Sequence, residues 1–271
     1  MSSLHLTPAP DGIPFIDRAP TDTEVEALRL LLSTFLDGSG GLVALGGEIT
    51  LPDWRNFERV LALVVRGTTT ESKAAYDINI PLPSGRYAGI SCKTRGRDAL
   101  KQIEGRGRLY IEVTNAATQL LKAANGPSGN WREDPHGAGV RLLEKIHSDY
   151  YGDHLSSIYD FSKTTTVYLV WHLRNLEYWF EMFWVGRPIC RADEVASWDV
   201  RNDKALVGFD HEGSMLVEWY EKNGQFKYYP RIDDVVKWRS GSLRLEHVPP
   251  STFRDVLIKK VLDYFNVNII Y

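Results

Sequence analysis

Tyr76-Asp77-Ile78-Asn79-Ile80, then Pro81-Leu82-Pro83-Ser84-Gly85-Arg86, then Tyr87-Ala88-Gly89-Ile90-Ser91-Cys92-Lys93 is the stretch on which the reading of this chain turns. Two runs with period-two alternation flank a middle rich in Pro, Ser and Gly, which predicts a β-hairpin. Alternation puts Tyr76, Ile78 and Ile80 on one face of the first strand and Asp77 and Asn79 on the other. In the second strand Ile90 and Cys92 oppose Ser91 and Lys93. The hairpin therefore has an apolar side for a core and a side carrying a carboxylate, a hydroxyl and an ammonium. That set suits phosphodiester hydrolysis: a carboxylate holds a hard divalent cation, and a lysine positions or deprotonates a water.

Asp77 with Ser91-Cys92-Lys93 resembles the motif of the PD-(D/E)XK nuclease superfamily and, within it, the type II restriction endonucleases. Asp77 matches the family's Asp and Lys93 its Lys, while Ser91 stands where Asp or Glu is usual, a Ser-x-Lys variant. The resemblance covers residues 51–124, under a third of the chain. It implies an α+β fold with an α/β core, in which a mixed central sheet is flanked by helices. It also implies Mg2+-dependent, sequence-specific cleavage of double-stranded DNA by a homodimer on a short palindromic site, in a prokaryotic cytoplasm. On that pattern Asp77 binds the metal, helped by the carbonyl of Ile78 or Cys92. Lys93 orients the attacking water, and Ser91 holds a metal-bound water or the scissile phosphate.

Ser91 cannot supply a second carboxylate, so another residue must. Residues 51–66 read as an amphipathic helix with Pro52 in its first turn and Trp54, Phe57, Leu61 and Val64 or Val65 as its stripe. Glu58 follows Trp54 by four residues and precedes Leu61 by three, so it projects from the buried stripe, where a carboxylate is costly unless paired or metal-bound. Many nucleases of this superfamily carry a Glu on the helix before the catalytic hairpin, and Glu58 matches that role. A boundary residue paired with Arg55 or Arg59 is the alternative. Glu112 is the second candidate: residues 109–113 read as a strand with Glu112 and Tyr110 on one face, and Glu112 reaches the metal if that strand lies beside the hairpin. Glu104 reads as a solvated helix-end charge.

The 271 residues suffice for one large domain or two intimate ones, and 43% hydrophobic with 25% charged residues is ordinary for a globular protein. No apolar run reaches the length of a membrane span, and the start of the chain lacks a signal-peptide pattern. The two cysteines, Cys92 and Cys190, suit a reduced cytosolic setting. A net charge of −3 argues against a generic nucleic-acid coat protein. The charge is patterned, however: residues 92–108 hold six cations (Lys93, Arg95, Arg97, Lys101, Arg106 and Arg108) against Asp98 and Glu104. Five of these follow Lys93 directly and are expected to meet phosphates.

Residues 1–150 are expected to form the catalytic core and 151–271 a β-hairpin-rich recognition and dimerisation region, packed as one unit with it. The first helix is expected over 24–36 with Thr23 and Glu26 as a capping box. A short helix is expected over 97–104, another over 115–124, a long loop over 125–139, and a helix from 140 to 147. Strands follow over 167–173 and 176–185 around Arg174-Asn175. Further hairpins are expected about Asn223-Gly224 and between 236–239 and 242–248, then a C-terminal helix over 251–265. Six of the eight tryptophans fall between Trp171 and Trp238, where core packing and a base-contacting surface are both open readings. Arg174, Asn175, Asn223 and Arg239 are the main candidates there for DNA contact, and Arg201, Asn202, Lys222, Gln225 and Arg244 also fall on turns and strand ends. Two other functions remain open: a DNA-binding protein on a nuclease-like fold that has lost catalysis, and an unrelated enzyme using the cluster His147, Asp149, Asp153 and His154. That cluster has no recognised zinc spacing and reads as a capped helix end.

Overall fold

In the computed structural model the described residues are 11–34, 42–43, 50–51, 53–70, 75–96, 103, 105–114, 116–174, 177–186, 189–246 and 261. They form a mixed α+β fold of helices and two large sheets. Its helices are α1 (Asp22–Ser33), α2 (Trp54–Val65), α3 (Ala117–Asn125), α4 (Pro135–Tyr151) and the one-turn α5 (Asp153–Ser156) and α6 (Ile232–Val235). Its strands begin with a two-residue pair, β1 (Leu42–Val43) and β2 (Thr50–Leu51), and continue through β3 (Thr68–Thr69), β4 (Ile78–Pro81), β5 (Tyr87–Arg95), β6 (Ile111–Thr114), β7 (Tyr159–Arg174) and β8 (Glu177–Val185). The last six are β9 (Ser197–Arg201), β10 (Ala205–Phe209), β11 (Met215–Tyr220), β12 (Gln225–Tyr228), β13 (Val236–Arg239) and β14 (Leu243–Arg244).

The larger sheet runs β13-β8-β7-β5-β4-β3, with β14 also paired to β8; β5 and β7 are parallel and the other pairs antiparallel. A parallel neighbour requires a crossover, and the chain between β5 and β7 supplies it with β6, α3, α4 and α5. The smaller sheet runs β6-β12-β11-β10-β9, antiparallel throughout. One core lies between α1, α2 and the larger sheet: Leu28, Phe57, Leu61, Ile78, Ile90, Val167 and Leu169 are each fully buried there. The other lies between the opposite face of that sheet, the smaller sheet, α3 and α4, around Tyr168, Phe183, Leu142, Trp131 and Trp219.

Both sheets draw strands from either side of residue 150. Several expectations about single elements are corrected. The first helix starts two residues early: Thr21 is its N-cap and Glu24 its third residue, with both capping-box bonds made. Both spacings fit the motif, and Glu24 wins because Arg18 also binds it through two 2.8 Å bonds. Trp54 is not part of the buried stripe of α2 but 53% exposed, and Asn56, Val60 and Ala62 are buried instead. The loop expected over 125–139 is packed: Trp131 is fully buried and α4 begins at Pro135, with Asp134 as its N-cap. β13 and β14 do not pair with each other; each pairs with β8.

The turn chemistry also moves. Asn202 and Asp203 both have φ of 53°, and Lys204 N–H donates to the Arg201 carbonyl, the two-residue turn that matches strand twist. Asn202 therefore has a backbone task there. The Asn223-Gly224 hairpin forms as expected, but only Gly224 has positive φ, at 63°. A Cβ on Gly224 would lie 2.1 Å from Ala117 Cα, so both conformation and space demand glycine. Arg97, Lys101, Glu104, Asn175 and, apart from Val261, the helix expected over 251–265 lie outside the described residues; Val261 is buried in the core that also contains α1 and α2.

Candidate active site

β5 is nine residues long and β4 only four, and this mismatch makes the site. The β4–β5 ladder ends at Ile78↔Ile90, so beyond Ile90 the strand is held by β7 alone, from Ser91↔Thr166 to Arg95↔Val170. The Cys92 N–H, past the last ladder pair, is satisfied by a side chain: Asp77 Oδ2 accepts it at 2.6 Å and the Ser91 hydroxyl at 3.3 Å. The Asp77 main chain is tied on both sides, its N–H to the Ile90 carbonyl and its carbonyl to the Thr70 N–H. Asp77 is thus fixed where β4 and β5 part.

Ile78 and Ile80 pack with Ile90 and Cys92 against α1 and α2, as the alternation predicts. Tyr76 departs from it. The chain bends over residues 75–77, breaking the period of two, and the Tyr76 ring lies over Gly89 on the opposite face. A Cβ on Gly89 would sit 2.5 Å from that ring, so glycine is required by close approach. Tyr76 meets Tyr159 edge-on at 4.8 Å and donates to the Tyr150 carbonyl, while the Tyr150 hydroxyl donates to the Val113 carbonyl at 2.8 Å. The polar side of the hairpin is therefore no open surface: a wall of tyrosines covers it, and Ser91 is only 3% exposed.

Three charged groups converge at the parting of the strands. Glu58 rises from α2, whose Phe57, Val60 and Leu61 are buried in the core beneath the sheet. Burial and then the Asp77 carboxylate push its pKa up to about 7, against the opposing pull of Lys93 and Arg55. Those influences require Glu58, Asp77 and Lys93 to lie within electrostatic reach of one another. Burial works against the charge on Lys93, but Tyr150, Asp77 and Cys92 outweigh it and raise its pKa above the ordinary lysine value. That direction favours the ammonium form of Lys93 over the free amine. Burial pushes the Cys92 thiol well up, which leaves it an inert core group.

Glu112 is not beside the hairpin. β6 belongs to the smaller sheet, and β7 occupies the place next to β5. Glu112 instead pairs with Arg95 at 2.5 Å and receives Gln225 at 3.4 Å. Of the two carboxylates, Glu58 is the one brought to Asp77. Among the described residues no third His, Cys, Asp or Glu joins them in a metal-binding group. Two carboxylates with backbone carbonyls are hard oxygen donors, a set that fits Mg2+, which keeps waters in its remaining positions.

The cations expected on phosphates divide. Arg95 lies next to the site, over the Tyr110 ring. Arg106 is exposed, as is Arg174 at the end of β7. Arg108 is buried, donating to the Tyr229 carbonyl at 2.7 Å and pairing with Asp210 at 2.6 Å, so it joins the smaller sheet to its loops and is not an available phosphate contact. Arg239 pairs with Glu181, which is 3% exposed, and neutralises it. Asn223 is exposed, its side-chain oxygen capping the Gln225 N–H. Trp171, Trp184 and Trp219 are buried, so core packing accounts for half of the six tryptophans.

His147 meets the Cys190 carbonyl and Asp149 pairs with Lys145, in keeping with a helix end and not a metal cluster. Two residues at or near the site had no local signal: Tyr150, which reaches Lys93 only because the crossover returns α4 over the sheet, and Lys227, opposite Glu112 on β12. No helix among the described residues is long and apolar enough to cross a membrane. Compared with known protein families, curated proteins and solved structures, the chain matches none.

Proposed function

We propose that this chain is a Mg2+-dependent endonuclease of double-stranded DNA, of the PD-(D/E)XK kind in its Ser-x-Lys variant. The observation that carries the proposal is the convergence of Glu58, Asp77 and Lys93 where β5 outruns β4. The order of elements supports it: a helix, three antiparallel strands, a helical crossover, and a strand parallel to the third. Sequence specificity, the palindromic site and the homodimer rest on the resemblance alone.

Asp77 and Glu58 would hold the metal, with the carbonyl of Cys92 or Ile78 beside them. When bound, the ion supplies charge for the phosphoryl oxygens and a water acidic enough to react at neutral pH. Ser91 fixes the Asp77 rotamer, and its hydroxyl faces the same carboxylate that the Cys92 N–H holds. Lys93, favoured as the ammonium, orients the water and stabilises the negative charge that grows on the phosphate. Partial burial and the neighbouring Asp77 raise the Glu58 pKa to about 7, so near neutral pH a cation would compete with a proton for its oxygens.

Metal-dependent nicking of a supercoiled plasmid tests the reading. The wild type should nick with Mg2+, and Asp77→Ala and Lys93→Ala should not. DNA binding without nicking under any divalent cation would transfer the chain to the alternative, a DNA-binding protein on a nuclease-like fold.

A further inference from the structure

The smaller sheet buries one face against α3 and α4, around Leu142, Trp219 and Phe226. Its other face carries Glu112, Lys227 and Glu218 in one register row, with Gln225 and Tyr220 paired beside them. That row starts at the candidate active site. Arg95 shares Lys93's side of β5, two residues and roughly 7 Å further along the strand, and pairs with Glu112.

The cations on this face are not equally matched. Glu218 is 2% exposed and is used up beneath the surface, where it accepts from Arg201 and from the Tyr229 hydroxyl at 3.0 Å. Glu112 is shared by Arg95 and Gln225. Lys227, between these two carboxylates in register, has no ion pair among the described residues. Its ammonium rests 4.4 Å from the centre of the Tyr220 ring and 5.5 Å from that of Tyr110. Burial, and then the like charges of Arg95 and Arg201, outweigh the help from Glu112 and hold its pKa down. Lys227 faces two carboxylates that arginines already hold, so its half-buried ammonium is incompletely compensated, and an arriving anion relieves it.

We propose that this face, with Lys227 at its centre and Arg95 on the side of the active site, binds the phosphate backbone of duplex DNA flanking the position at which Lys93 acts. The inference rests on the nuclease reading and deepens it. The Tyr220 and Tyr110 rings contact the ammonium, while the neighbouring Glu112 and Glu218 are each already bonded to an arginine. A duplex backbone presents repeated phosphates to such a row, whereas a single bound anion would use only one member of it.

The test is the anisotropy of a labelled duplex with the full chain in Ca2+, over a salt series. Lys227→Gln should weaken binding by roughly fivefold and lower the slope of log affinity against log salt by about one unit. The same change should leave the melting temperature unchanged or raised, which separates lost contact from lost fold. Salt-dependent binding by the wild type with an unchanged slope in Lys227→Gln overturns the inference and leaves the nuclease reading standing. No duplex binding by the wild type at low salt overturns both.

Discussion

Replacing Glu58 by Gln should stabilise the protein above neutral pH and, on the proposed nuclease function, abolish cleavage of DNA. Glu58 has a pKa raised from 4.5 to about 7, by burial first and Asp77 second. If realised in full, that displacement corresponds to about 3.4 kcal/mol, from ~1.36 kcal/mol per tenfold change in proton affinity. Glu58 is only partly buried, so water screens some of it, and about 1–2 kcal/mol is expected. The sign follows from where the proton sits. The folded state holds it more tightly than the unfolded chain, so the group's contribution is complete below pH 4.5 and is lost as pH rises through 7. Gln mimics the protonated carboxyl at every pH. The two proteins should therefore melt alike near pH 4.5, and the variant should melt roughly 2–6 °C higher at pH 8. Thermal melts in metal-free buffer from pH 4 to 9 measure the difference, and Asp77→Asn should move its midpoint down by removing the like charge. Equal melting at pH 8, or a gain that does not depend on pH, would refute the argument that burial and Asp77 strain this carboxylate. Normal cleavage by the same variant would remove Glu58 from the metal site.

Lys93→Ala should abolish nicking while leaving duplex binding in Ca2+ largely intact, measured by plasmid relaxation and by anisotropy. Metal affinity should rise about tenfold per pH unit below 7 and level off above it, because the cation competes with the Glu58 proton; isothermal titration from pH 5.5 to 8.5 checks this, and a flat profile refutes it. Glu112→Gln should keep cleavage within tenfold of wild type and strengthen duplex binding by freeing Arg95; a loss of cleavage by orders of magnitude would return Glu112 to the metal site. Arg239→Met should act on stability, costing about 2–3 kcal/mol by leaving Glu181 buried without its partner, as read by denaturant melts. Gly89→Ala should cost about 1–3 kcal/mol, since its methyl meets the Tyr76 ring, and near-ultraviolet dichroism should report the displaced tyrosines.

Local chemistry made much of this readable in advance. The hairpin that carries Asp77 and Lys93, the amphipathic helix beneath it, the outward pairing of Tyr110 with Glu112 and the Asn223-Gly224 hairpin all follow from periods of two and 3.6 and from turn residues. Glu58 was within reach of the same reasoning, because a carboxylate on the edge of a buried stripe needs a partner. Its competitor Glu112 was equally acceptable on those grounds. Strand order decided between them, and strand order depends on which chain segment returns beside β5, something no local pattern encodes.

The same limit explains the rest. Arg108 and Arg239 are ordinary surface arginines by sequence, and only the fold sets Asp210 against one and the buried Glu181 against the other. Tyr76 alternates correctly in the sequence, yet a bend before β4 turns it across the sheet onto Gly89, and Tyr150 arrives over Lys93 on a crossover helix. By itself the sequence determined the secondary structure around the site and the chemical types gathered there, because propensity, alternation and turns act over a few residues. Tertiary structure alone decided which carboxylate meets Asp77, which cations are already neutralised and which remain for a partner, because burial and pairing depend on segments far apart in the chain.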